Sequence, residues 1–149
     1  LGLARMIAMI SYRSAESFRE RFGRERSRGG GDFDVSAYLY GQGDKLVQRF
    51  DANAYMRITT AMDSFDVGAG RGGAAKALSG FGGAGLVIGI DSDVLYPVSD
   101  QLEIVETLRE NGNRVEYREL QSVHGHDAFL MEWEQMGAMV GEFLGRAGA

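Results

Sequence analysis

Leu86-Val87-Ile88-Gly89-Ile90-Asp91-Ser92-Asp93 is where the character of the chain changes. Five positions that are apolar or glycine, with three β-branched side chains, run straight into three polar residues. A run with no polar position leaves no face for water, so Leu86–Ile90 predicts a short strand buried on both faces. Toward the C-terminus, Ser99–Glu110 predicts an amphipathic helix with Leu102, Val105 and Leu108 inward, closed near Gly112. Val115–Leu120 alternates as a second strand. Phe129–Leu144 predicts a last helix with Trp133, Met136, Val140 and Phe143 on its apolar side. The order strand-helix-strand-helix implies parallel strands joined by right-handed crossovers, so the fold class is α/β.

Toward the N-terminus the period is helical. Ser14 is a candidate N-cap, Phe18 and Phe22 lie four apart on one face, and Gly23 fits the position just past a helix end. Val35–Phe50 and Ala52–Phe65 predict two further helices, the second with Tyr55, Ile58, Thr59 and Met62 in one stripe. Met6, Met9, Met56 and Met62, at helical spacing, read as core filler. Glycine punctuates the chain, 22 of 149 residues, about twice the usual roughly 7%. The breaks are Gly29-Gly30-Gly31 and the stretch Gly68 to Gly85. They divide the chain into a helical segment, 1–83, and an α/β segment, 84–149. The start at Leu1, in what reads as mid-helix and without an initiator Met, is expected of a fragment or processed subunit.

Composition narrows the function classes. With no cysteine, neither a disulfide framework nor a thiolate metal site is available, and an enzyme nucleophile has to be another residue. No run of about 18 apolar residues or signal-peptide core occurs, so a soluble cytoplasmic protein without a membrane partner is expected. The net charge of −5 is uneven: residues 1–83 carry 12 Lys/Arg against 9 Asp/Glu, and residues 84–149 carry 4 against 12. The acidic second half argues against a nucleic-acid partner. The basic cluster Arg19, Arg21, Arg24, Arg26 and Arg28 is interleaved with Glu16, Glu20 and Glu25, the pattern of a solvated helical face.

In open α/β sheets, functional residues gather beyond the carboxyl ends of the strands. Asp91-Ser92-Asp93 follows the first strand here, and His124-Gly125-His126-Asp127 follows the second. Taken alone, Asp93 is a strand-end turn or cap and His126 a hydrogen-bonded structural histidine. Together, an acid after one strand and a histidine after the next are the arrangement α/β-hydrolases use, in which the triad runs Ser, Asp/Glu, His along the chain. Spacing alone leaves Asp91 and Asp93 unseparated. Gly68-Ala69-Gly70-Arg71-Gly72-Gly73 matches G-x-G-x-x-G, but no predicted strand precedes it, so a dinucleotide site is not expected. Two histidines and no cysteine under-ligate a catalytic zinc, so no metal is expected. No G-x-S-x-G elbow occurs in the chain, so by itself it is expected to be inactive by a triad mechanism.

Four longer stretches are specific: GLARMIAMISYRS at 2–14, YLYGQGDKLVQRFDANAYMRITTAMDSFDVGAGRGG at 38–73, LVIGIDSDVLYP at 86–97 and GHDAFLME at 125–132. In this order they resemble the C-terminal part of homoserine O-acetyltransferases, α/β-hydrolase-fold enzymes of methionine biosynthesis. The resemblance implies that the first segment is a helical lid, inserted before the last strands and contributing to a homodimer. It implies Asp93 rather than Asp91 as the triad acid and His126 as the base. It also implies that Arg5, Tyr12 and Asp127 hold the amino acid substrate, and that the nucleophilic Ser lies outside this stretch. The partners it implies are L-homoserine and acetyl-CoA, the latter as co-substrate, with no permanently bound cofactor. A succinyl-CoA-dependent relative, a serine O-acyltransferase, or a non-catalytic lid and dimerisation fragment are the alternatives. His124 departs from the Tyr many members have there, which reads as a packing change.

Overall fold

Parallel pairing of Gly85–Ile90 (β1) with Val115–Leu120 (β2) organises the second half of the chain, in the register Gly85↔Val115 through Ile90↔Leu120. The computed structural model describes residues 1–28 and 31–147. Within it the chain divides into two compact units, 1–65 and 66–149. That boundary falls earlier than the expected break at residue 83. The reason is local packing: α5 (Ala74–Leu78) sends Leu78 against Val105 and Leu108 of α6 (Val98–Glu110). Asn111 Nδ2, just past α6, donates to the Ala75 carbonyl at 2.7 Å.

In the second unit, period-2 alternation in the strands sorts their side chains between two layers. Val87, Val115 and Tyr117 meet Val105 and Leu108 on one face. Ile88, Ile90 and Leu120 meet Ala128, Met136 and Met139 on the other. Both faces carry packed side chains, as the apolar run predicts. Most of β1 nevertheless stays half-buried, and only its last two positions are fully covered, because in a pair of strands each has an unpaired edge. Leu102, expected inward, is 38% exposed, whereas Val105 and Leu108 are buried. Gly112 closes α6 with φ +80.

The expected last helix is in fact two pieces. A 3₁₀ turn spans Gly125–Leu130, and α7 runs Trp133–Ala147. Trp133, expected on the apolar side, begins α7 and is 69% exposed; Met136 and Met139 do the packing.

The first unit is helical: α1 (Gly2–Ser11), α2 (Ala15–Arg21), α3 (Asp34–Arg49) and α4 (Ala52–Asp63). Ser14 is the expected cap, its Oγ accepting the Ser17 N–H at 3.0 Å. Helix α2 ends differently from expectation. Phe22 turns extended (φ −126, ψ 118), so no left-handed glycine at Gly23 is needed. The Phe18 and Phe22 rings pack 5.5 Å apart, and Phe22 meets Tyr38 at 5.1 Å. Of the methionines read as core filler, Met9 is buried, while Met56 and Met62 are 67% and 64% exposed. The arginine cluster is not one helical face, because α2 stops at Arg21. The Arg21 guanidinium lies 4.4 Å from the Tyr38 ring centre, and Arg26 lies 4.8 Å from that of Phe33. Of the predicted glycine break, Gly29 and Gly30 lie outside the described residues. Among those residues no helix is long and apolar enough to cross a membrane.

Candidate active site

The polar residues that follow each strand are drawn together by the parallel register. Ile90 and Leu120 are paired strand ends. The Asp91 N–H extends the ladder by one bond, to the Leu120 carbonyl at 3.2 Å. The chain then turns, the Asp93 N–H donating to Ile90 O at 3.1 Å, and the Asp93 side chain points inward with 4% of its surface exposed.

A carboxylate so far from water requires partners. Asp93 has three. Its Oδ1 accepts the backbone N–H groups of Leu95 and Tyr96 at 2.8 and 3.0 Å. Its Oδ2 lies 2.8 Å from Nδ1 of His126. That last bond bridges 33 residues of sequence, and it separates the two acids the spacing left open. Asp91 Oδ1 instead accepts the Ser122 backbone N–H at 2.9 Å.

His126 is the second residue of the 3₁₀ turn. Gly125 before it has φ +66, a left-handed conformation that glycine adopts without steric cost. The imidazole is flanked by two aromatic rings, Tyr96 at 5.1 Å and Phe129 at 5.4 Å between centroids. Asp93, His126, Tyr96, Phe129, Gln101 and the end of β1 line a cavity of about 340 Å³. An acceptor carboxylate on Nδ1 selects the tautomer in which Nδ1 carries the proton, and turns the basic Nε2 outward. Such an imidazole can take a proton from a hydroxyl and return it.

Several contributors had no signal in the sequence. The Ser92 hydroxyl donates to the Ser122 carbonyl and accepts the Gly125 N–H at 3.0 Å. The Ser122 hydroxyl accepts the His124 N–H at 3.1 Å and donates to Glu132 Oε1 at 2.7 Å. Serines in turns are too common to single out; only the contact across strands reveals them. His124 is half-buried, with its Nδ1 enclosed and making no hydrogen bond.

The other expected residues fall in two places. Asp127 sits half-buried in the 3₁₀ turn, next in sequence to His126. Arg5 and Tyr12 both line a cavity of about 370 Å³ in the first unit, as residues seven apart on a helix should. The predicted stripe Tyr55, Ile58, Thr59 and Met62 lines the same cavity rather than a core. Gly68–Gly73, the dinucleotide-like motif, is a turn between α4 and α5, preceded by a helix rather than a strand. A side chain at Gly68 would come within 2.6 Å of the Ala74 backbone nitrogen. Among the described residues no group of three or more His, Asp or Glu is placed to hold a metal ion.

Parallel strands with a crossover helix, and an acid and a histidine joined beyond their carboxyl ends, define the class: this is an α/β chain with the α/β-hydrolase fold. The structure superimposes along its full length on 42% of the homoserine O-acetyltransferase from Bacillus anthracis, with a TM-score of 0.87 at 21% identity. No family model matches the sequence. The chain is 46% identical over 152 residues to the homoserine O-acetyltransferase of Carboxydothermus hydrogenoformans, covering 97% of this chain and 40% of that protein. It is 46% identical over 142 residues to that of Salinibacter ruber, covering 94% and 39%. The chain belongs to the homoserine O-acetyltransferase family and spans about 40% of the length of the curated relatives it matches.

Proposed function

We propose that this stretch supplies the acid and base of a Ser-His-Asp acyltransferase that moves the acetyl group of acetyl-CoA to the hydroxyl of L-homoserine. The observation that carries the reading is the 2.8 Å contact between His126 Nδ1 and the buried Asp93 carboxylate. The relatives named homoserine O-acetyltransferase supply the reaction.

In this mechanism a Ser from outside the stretch attacks the thioester carbonyl while His126 Nε2 takes its proton. The CoA thiolate leaves with that proton, and the acyl group stays on the Ser oxygen. His126 next takes the proton of the homoserine hydroxyl, whose oxygen attacks the acyl carbonyl, and the Ser leaves by recovering the proton. Asp93 holds the imidazole's tautomer and stabilises the imidazolium in both halves. By resemblance, Arg5 and Tyr12 take the amino acid's carboxylate and Asp127 its ammonium. Those are the ion types a guanidinium fork and a carboxylate recognise. The first segment acts as a lid that keeps water from the acyl-enzyme. A homodimer through its helices is supported by the exposed apolar side chains of Met56, Ile58 and Met62 on α4. The enzyme is read as cytoplasmic.

The test uses a full-length enzyme carrying this stretch, assayed for thiol release from acetyl-CoA with homoserine, and in parallel from succinyl-CoA. His126→Ala is expected to lower kcat by on the order of 10⁴-fold. Wild-type thiol release by that variant sinks the proposal. Asp127→Ala is expected chiefly to raise the homoserine KM, and an unchanged homoserine saturation curve removes Asp127 from substrate binding.

A further inference from the structure

The acid and the base are held in place by different means. Asp93 is fixed within its own turn, by its backbone bond to Ile90 and by the two N–H groups on Oδ1. His126 stands in a loop of another kind. It is the second residue of a 3₁₀ turn, where hydrogen-bond geometry is poorer than in an α-helix. It also follows Gly125, the residue type with the widest conformational freedom. The rings beside it, Tyr96 and Phe129, are themselves 47% and 40% exposed.

One hydroxyl connects the two loops next to both members of the pair. Ser92 precedes Asp93 and Gly125 precedes His126, and the Gly125 N–H donates to Ser92 Oγ at 3.0 Å. The same hydroxyl donates its own proton to the Ser122 carbonyl, so it is held from both sides of the β2 loop. A second cross-link, Asp91 Oδ1 to the Ser122 N–H, meets that loop four residues before His126. The Ser92 link therefore acts directly on the peptide that launches the histidine.

We propose that Ser92 is a positioning residue for His126: its hydroxyl orients the Gly125 peptide so that Nδ1 meets Asp93 Oδ2 and the imidazole is held in one tautomer. The inference rests on the acid–base role given to the pair above. It concerns a residue that touches neither substrate nor reacting atoms.

The test is ring ¹⁵N and ¹H NMR of the 149-residue chain labelled at histidine, with the two histidines assigned through His124→Gln. In the wild type, His126 is expected as the Nδ1–H tautomer, with the far-downfield proton of an imidazole N–H bonded to a carboxylate. Ser92→Ala, checked for folding by circular dichroism, is expected to lower the ratio of Nδ1–H to Nε2–H about tenfold and broaden that proton away. Ser92→Thr, which keeps the hydroxyl, is expected to restore both. A folded Ser92→Ala with the wild-type ratio and its downfield proton overturns the proposal. Should Ser92→Ala fail to fold, amide exchange in the wild type decides: Gly125 N–H is expected to be protected, and exchange at the unprotected rate overturns the proposal. If the wild type shows no Nδ1–H preference, or Asp93→Asn leaves the ratio unchanged, the pair itself fails. The acid–base reading then falls, and the role of Ser92 with it.

Discussion

The two units satisfy their polar groups over different distances along the chain. In the first, the side-chain bonds are short-range ones: Ser14 caps Ser17, Asp51 Oδ1 accepts the Ala54 N–H at 2.8 Å, and Thr59 bonds back to Tyr55. In the second, several cross 30 residues or more. Gly125 reaches Ser92, Ser122 reaches Asp91, Asn111 reaches Ala75 and His126 reaches Asp93. Burial follows the same division. Met9 and Leu46 are the buried apolar side chains of the first unit, while Leu3, Ile7, Met56, Met62 and Phe65 remain more than half exposed. The second buries Ile90, Val105, Leu108, Val115, Leu120 and Ala128. A helix closes its backbone bonds locally and can form with most of its apolar face still uncovered. A parallel pair exists only once distant segments meet, and here their meeting also assembles the Asp93–His126 pair.

Truncations in the two units test that contrast most strongly. Leu120, with none of its surface exposed, joins β2 to Ala128 beside the site. Leu120→Ala is expected to cost about 3 kcal/mol in urea unfolding of the chain. Met62→Ala, at a 64% exposed position in α4, is expected to cost less than about 0.5 kcal/mol. Equal costs would break the comparison. A smaller effect sharpens it. Asp51→Ala removes the N-cap of α4, an expected loss of about 1 kcal/mol. That loss should appear as reduced helicity, with the His126 ring shifts unmoved. Movement of those shifts would mean that the local cap is felt in the second unit.

The smallest effect is electrostatic and lies between β2 and α7. Glu116 accepts hydrogen bonds from Arg118 and, at 2.8 Å, from Arg146 of α7. The Arg118 bond, ahead of every other influence, holds its carboxyl below the ordinary 4.5. A depressed folded-state value favours the folded state above the unfolded value, and the advantage is lost as pH falls through the folded one. Stability should therefore slip below about pH 4.5. Glu116→Gln should flatten that slope slightly, because exposed pairs are weak and screened by salt. A mutant acid limb identical to wild type would remove Glu116 from this role.

Most elements of the fold are legible in the residues, for reasons that differ by element. Periodicity places α3 within one residue of its observed bounds, and the apolar run and alternation place β1 and β2, because burial of a face demands those patterns. The last helix differs from its expected single span because the 3₁₀ turn at Gly125–Leu130 and the start of α7 share one apolar spacing. The backbone obeys Gly125 and the pull of the Asp93 loop instead. Trp133 and Met62 carry helical spacing without burial, since spacing specifies a face but not what covers it.

For the site the division is clearer. Residue type and order were sufficient for an acid and a histidine after successive strands, and the longer stretches for Asp93 over Asp91. That much is chemistry written in the chain: a strand end, a turn, an ionisable group. Which carboxylate oxygen meets Nδ1, and that Ser92, Asp91 and Ser122 stitch the two loops together, were decided by tertiary structure alone. The physical reason is the length of the connection. The bonds between the two loops join residues about thirty apart, and only the β1–β2 register brings them within hydrogen-bonding distance.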